Sequence, residues 1–181
     1  MKRWVGWVLG AALVAAAWGV AAVTPGEDAS EDPFRVTAEI GEVAVGRNLA
    51  INVLDVRRAE RVLAGSWSAD GNWVVVDLEA EAVESEFGTL LTLATLEIDG
   101  RIFSASERPE SLVRASLSVG IPQTGSLAFE LPENLDAARG ILQFGLDADP
   151  RLDSVIALEI DLDAIAVEPA VDLLPTGWST R

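Results

Sequence analysis

One stretch of ten residues constrains the fold more than any other part of the chain. Residues 71–80 read GNWVVVDLEA, and one set of alternate positions is apolar throughout: Val74, Val76, Leu78 and Ala80. The other set becomes charged at Asp77 and Glu79. Successive side chains of a strand point to opposite faces. The pattern therefore predicts a β-strand with one face in a core and the other partly in water, and its valines favour the same conclusion.

The same alternation recurs along the chain and predicts about eight strands with short connections, which is typical of an antiparallel sandwich or barrel. A change of phase between Val53 and Leu54 indicates a β-bulge. Asp99-Gly100 supports the positive φ angles of a two-residue hairpin turn, so the segment Leu96–Ile98 should pair with Ile102 in a hairpin. The predicted core is Val74, Val76, Leu78, Leu127, Phe129, Leu142, Phe144, Ile156, Leu158 and Ile160.

A different pattern occupies the N-terminus. Lys2 and Arg3 precede 20 residues without charge, Trp4 to Val23, which as a helix would be about 30 Å long and could cross a bilayer. The two basic residues before the run and the acidic residues after it favour a cytoplasmic N-terminus and a domain outside the cell membrane. Residues 1–23 are accordingly predicted to be a retained single-pass anchor; the alternative is a signal peptide cleaved near Ala22, giving a secreted protein.

The remaining segments are divided by composition. Residues 24–33 contain Pro, Gly, Ser and four acids, which predicts an acidic linker. Residues 34–167 form the predicted β-domain, with residues 65–72 as a polar turn. Residues 168–181 contain two prolines and no alternation, which predicts a tail without regular structure.

Composition excludes several kinds of chemistry. The chain has no Cys, His or Tyr, so Ser-His-Asp and Cys-His catalysis are impossible and the usual zinc ligands are missing. The formal charge is -16, and after the apolar run 11 Arg stand against 29 Asp and Glu. Such a domain repels nucleic acid phosphates, so no nucleic-acid partner is expected.

Three groups of residues are candidates for a site, and each has a simpler interpretation. The acids of Asp147–Asp153 could hold Ca²⁺, but the spacing lacks the glycine and terminal Glu of an EF-hand, and a solvated loop with Arg151 as counter-ion is favoured. Arg57, Arg58 and Arg61 could contact an anion, although pairing with nearby carboxylates is favoured. Trp67 and Trp73 could form a stacking platform, although core or rim positions are favoured.

A family resemblance rests on the order of several short motifs. These are GNWVVVD at 71–77, IDGRIF at 98–103, GIP at 120–122 and GSLAFELP at 125–132. In this order they resemble a bacterial extracytoplasmic immunoglobulin-like domain family of unknown function, over roughly residues 36–163. The resemblance implies an all-β, immunoglobulin-like antiparallel β-sandwich exposed outside the membrane, and it brings no catalytic residues. The chain lacks the cysteine of lipoprotein members of that family, so any anchoring would depend on the N-terminal helix.

The function expected from the sequence is that of a membrane-tethered, non-catalytic binding or scaffolding domain with a possible protein partner at the cell surface. We assign no catalytic, cofactor-binding or metal-binding residues and expect no cofactor. Two alternatives stay open: an accessory subunit of a membrane complex, such as a transporter or envelope assembly, and a hydrolase that uses a pair of its many carboxylates.

Overall fold

The computed structural model describes residues 3–23, 33–133, 135 and 139–179. The chain divides into two compact units, Met1–Asp32 and Pro33–Arg181. The predicted linker at residues 24–33 lies outside the described residues except for Pro33.

The first unit contains helix α1, Arg3–Val23. Its alanines and leucines favour helix, and the side chains described along it from Trp4 to Val20 are exposed. Within the described part of the chain, no helix is both long enough and apolar enough to cross a membrane. The transmembrane role of residues 1–23 stays a prediction.

The second unit is a β-sandwich of two sheets. The five-stranded sheet contains, from one edge to the other, β1 (Phe34–Ala38), β9 (Ser154–Asp161), β8 (Arg139–Gly145), β5 (Leu93–Ile98) and β6 (Arg101–Ser104). The seven-stranded sheet contains, from one edge to the other, β10 (Val167–Glu168), β3 (Leu49–Ala64), β4 (Trp67–Ala82), β7 (Gln123–Leu131) and β12 (Gly177–Trp178). Two further short strands, β2 (Val43–Val45) and β11 (Val171–Asp172), also pair with β3.

The centre of the seven-stranded sheet is the hairpin of β3 and β4, two strands of 16 residues each. Ala64 pairs with Trp67, so the turn has two residues, and the prediction of a polar turn over residues 65–72 is wrong for all but its start. The polar residues at 68–72 are tolerated because that end of the hairpin is exposed or half-buried. The predicted bulge is confirmed as a register shift between Val53 and Asp55.

The core lies between the two sheets and contains every one of the ten predicted core residues. Residues at even positions of β4 and odd positions of β7 point inward, because the two strands pair with Val74 opposite Phe129 and Val76 opposite Leu127. The hairpin of β5 and β6 is also confirmed. Asp99 and Gly100 have φ angles of 49° and 73°, and Ile98 pairs with Arg101.

The prediction of a purely antiparallel sandwich needs correction. β1 pairs with β9 in parallel, and β10 and β11 both run parallel to β3. These strands come from the two ends of the β-domain and reach the sheet edges from distant parts of the chain. Local hairpins impose antiparallel pairing, and these pairs are not hairpins.

The prediction of an unstructured tail at residues 168–181 is also wrong for the described part of it. Residues 167–179, named here the C-terminal strap, cross the outer face of the seven-stranded sheet and contribute β10, β11 and β12. Val171 and Leu173 of the strap are buried against Ala59, Val62, Trp73, Val75 and Ala128. The strap shows no alternation because its two-residue strands are too short to display a period.

Candidate functional site

An open groove of about 840 Å³ lies on the outer face of the five-stranded sheet. Its walls come from β1, the turn after β1, β8 and β9, and its floor includes Ile141 and Ala157. A smaller hollow of about 230 Å³ continues from it to the β5–β6 turn and shares Ile141 and Glu159 with it. We call the two together the acidic groove. It crosses four adjacent strands, a width of roughly 14 Å at the usual strand spacing.

The path of the chain after β1 produces the groove. β1 ends at Ala38, opposite Leu158 of β9, and the chain then turns toward the other sheet, where the Gly41 N–H donates to the Val53 carbonyl at 2.7 Å. Strand β9 continues through Glu159–Asp161. In the described chain, this three-residue edge has no strand paired with it on the β1 side. The groove therefore borders a short stretch of sheet edge that can accept a strand.

The charges of the groove are unbalanced. Five carboxylates line it against two guanidiniums, those of Arg35 and Arg139; the carboxylates belong to Glu39, Glu42, Glu97, Asp99 and Glu159. Among the described residues, Glu97 accepts a hydrogen bond from Gln143 Nε2 at 3.2 Å, and none of the five forms an ion pair. The groove thus presents acceptor oxygens to solvent and would favour a cationic ligand.

Sequence reasoning did not single out these five acids. They are exposed or half-buried, they come from three separate segments, and nothing local distinguishes them from the other acidic residues. The one available signal was the alternation of Glu159 and Asp161 along β9, which marked an outward-facing acidic row but not its neighbours.

The outer face of the seven-stranded sheet is built differently. There Arg57 Nη2 lies 2.6 Å from Asp77 Oδ2, and the Ser126 hydroxyl donates to Asp77 Oδ1 at 2.5 Å. The Leu174 N–H of the strap donates to the Ser126 oxygen at 2.7 Å. Asp77 and Ser126 are buried, although the sequence predicted that this face of β4 would be partly wet. The strap covers it, so the network fastens the strap and is closed to a ligand.

Two residues of the arginine cluster pair with carboxylates, as the sequence favoured, and the third bonds to a backbone carbonyl. Arg57 pairs with Asp77, Arg61 pairs with Asp70 at 2.5 Å, and Arg58 Nη1 donates to the Leu162 carbonyl at 3.0 Å. The hydrogen bond from Arg61 is the main reason why the pKa of Asp70 is lowered from its ordinary value. Each guanidinium therefore has a protein partner.

The tryptophan pair is also structural. Trp73 is fully buried, Trp67 is half-buried, and their rings meet edge to face with centroids 6.2 Å apart. Arg108 lies over both rings and pairs with Glu130. A Cβ at position 71 would come within 2.9 Å of Trp73 Nε1, so the tight approach of the indole requires Gly71. No open ring face is left for stacking on Trp73.

The acidic loop at Asp147–Asp153 does not form a cage. Arg151 lies 2.7 Å from Asp149, and hydrogen bonding from Arg151 lowers the pKa of Asp149. Asp147 Oδ1 accepts from the Asp149 N–H, and Asp153 Oδ1 accepts from the Ser154 N–H. Nowhere in the described chain do three acidic side chains gather as a metal site would require.

Known proteins show little similarity to this chain. No protein-family model matches the chain, and no curated protein sequence matches it significantly. A similar solved structure is an uncharacterized β-sandwich protein from Clostridium difficile 630, with 13% sequence identity and a TM-score of 0.48. The match covers 76% of this chain and 100% of that one.

Proposed function

We propose that the β-sandwich is a non-catalytic, extracytoplasmic contact domain that holds a cationic partner in the acidic groove. The observation that carries this proposal is the groove itself, where five carboxylates without ion-pair partners in the described chain face two arginines. Charge complementarity of this kind steers association and selects partners more than it adds affinity.

Delivery outside the cytoplasm is supported by the sequence of the first 23 residues. Two basic residues precede an uncharged run, and every acid of the chain follows it. We propose that this segment exports the β-domain and tethers it to the cell membrane. Cleavage near Ala22 is the alternative. The N-terminal sequence of the mature protein, measured in membrane and medium fractions, separates the two.

We further propose that the sandwich is of the immunoglobulin-like type. In such folds the second and fifth strands pair in one sheet while the third, sixth and seventh lie in the other. Strands β4 and β7 pair in the seven-stranded sheet, and β5, β8 and β9 lie in the five-stranded one, which supports the assignment. The buried tryptophan and disulfide of antibody domains have no counterpart in this core.

One observation favours the hydrolase as a second candidate. Glu159 and Glu97 flank Ile141 on neighbouring strands, as two carboxylates must flank a scissile bond. Against it, both side chains lie on an open face that does not exclude water. Hydrolysis of a cell-wall glycan that is lost in Glu97→Gln and in Glu159→Gln would establish that the protein is an enzyme and would rule out the proposed contact function.

Crosslinking in the native membrane tests the contact function. The wild type is compared with a variant carrying Glu39→Gln, Glu42→Gln and Glu159→Gln, and with a control carrying Glu60→Gln, Glu110→Gln and Glu168→Gln, which removes equal charge from exposed positions elsewhere. We expect the wild type and the control to capture the same neighbour through a basic segment, and the groove variant to lose it. Equal capture by all three would place the contact elsewhere, for example in an accessory subunit that binds through its helix.

A further inference from the structure

The open edge of β9 indicates how a partner would lie in the acidic groove. β1 covers β9 only as far as Leu158, and Glu159–Asp161 extend three residues further along the edge. An extended segment placed there would continue the position of β1 and pair its backbone with β9. This is the recognition mode in which a peptide adds a strand to a sheet.

The side chains of this edge define what the added strand should carry. Glu159 and Asp161 are two positions apart, and both are exposed. Residues opposite each other on neighbouring strands have Cβ atoms about 5 Å apart, so basic residues at positions i and i+2 of the added strand would lie beside these two carboxylates. Glu39 and Glu42 line the groove across from them and add negative charge.

The residue between the two basic positions faces the other way. On β9 the intervening residue is Ile160, which is buried, while Glu159 and Asp161 point outward. Alternation of the added strand therefore places an apolar residue beside Ile160. From this register we propose that the groove binds an extended basic–apolar–basic peptide segment by strand addition to Glu159–Asp161. The inference rests on the proposed contact function and specifies its ligand.

A small polycation is the competing occupant. An aliphatic polyamine would also find carboxylates and the apolar floor at Ile141, but it has no peptide backbone to pair with β9. The free sheet edge thus favours a peptide, because only a peptide uses both the charges and the unpaired backbone groups.

The test is a binding titration of the full-length protein, purified in mild detergent, with three probes. The first is a capped Lys-Val-Lys-Val-Lys peptide, the second is the same peptide with alternate backbone nitrogens methylated, and the third is spermine. Methylation keeps the charge and removes strand hydrogen bonds, so we expect it to weaken binding about tenfold. We expect spermine to bind more weakly than the unmodified peptide.

Protein variants locate the site. Glu159→Gln should weaken binding of the unmodified peptide about three- to fivefold. The control Glu60→Gln, which removes equal charge from an exposed position of β3, should change it less than about twofold. If methylated and unmodified peptides bind equally, or spermine binds as well, strand addition is overturned and the cationic contact stands. If none of the three probes binds, both proposals fail.

Discussion

The two outer faces of the sandwich differ in whether another segment of the chain covers them. The outer face of the seven-stranded sheet carries Trp73, Val75 and Asp77, all buried because the C-terminal strap packs over them. The outer face of the five-stranded sheet has no such cover in the described chain, and it carries small, polar and acidic side chains around Ile141. One face therefore behaves as a second core and the other as a surface.

The difference shows that two strands with similar charge patterns can have different roles. Asp77 on β4 and Glu159 on β9 both alternate with apolar residues. Asp77 is held by Arg57 and Ser126 beneath the strap, whereas Glu159 faces the groove. A carboxylate in a covered network contributes to stability, and one on an open face is available to a ligand.

Removing the strap should have the largest effect on this contrast. In a chain ending at Glu168, the burial of Val171 and Leu173 is lost, which should reduce the free energy of unfolding by about 3–6 kcal/mol. Urea denaturation measures the loss, and binding of a hydrophobic dye should rise as Trp73 and Val75 become accessible. Leu174→Ala, at a more exposed strap position, is the control and should change little. Unchanged stability of the shortened chain would show that the strap is not a cover.

Truncating the tryptophan beneath the strap comes next in size. Trp73→Ala should lower the free energy of unfolding by about 3–5 kcal/mol, as much as Phe129→Ala in the main core, because both side chains are fully buried. Ile102→Ala on the uncovered face, where the side chain is 67% exposed, should stay within about 0.5 kcal/mol. Equal costs for Trp73→Ala and Ile102→Ala in chemical denaturation would remove the distinction between the faces.

Breaking the covered ion pair should have a smaller effect. Asp77→Ala leaves Arg57 and the Ser126 hydroxyl without their partner, and it should lower the free energy of unfolding by about 2–3 kcal/mol. This loss is below the usual range for a fully buried pair because the Arg57 side chain is 23% exposed. The matched control is Asp55→Ala, an exposed carboxylate 4.0 Å from the same guanidinium, which should cost under about 1 kcal/mol. A cost for Asp77→Ala no greater than that of the control would mean that the network does not fasten the strap.

The exposed pair of Arg61 and Asp70, on the same hairpin, should give the smallest effect. Its hydrogen bond lowers the pKa of folded Asp70. The stability that this hydrogen bond contributes is therefore fully present above the pKa of Asp70 in the unfolded chain, about 3.9, and it is lost as the pH falls through the pKa of Asp70 in the folded protein. The Asp70→Asn variant should therefore lose slightly less stability than the wild type when the pH is lowered, as measured by thermal unfolding between about pH 6 and about pH 2. A steeper acid dependence in Asp70→Asn than in the wild type would contradict the sign.

Local patterns in the sequence determined most of the strands. The alternation in residues 71–80 predicted the inward face of β4, and Asp99-Gly100 predicted the turn between β5 and β6. The phase change after Val53 predicted the bulge. Each of these depends on the chemistry of adjacent residues, so a single sequence contains the information.

Only the tertiary structure decided which outer face is covered and where the groove lies. The strap meets β4 from roughly a hundred residues away, and β1 reaches β9 across a similar separation. Such contacts depend on how distant segments pack, and no period in the chain encodes them. The strap could not be foreseen because its strands are two residues long. The acids of the groove could not be foreseen because an exposed carboxylate looks the same in sequence wherever folding places it.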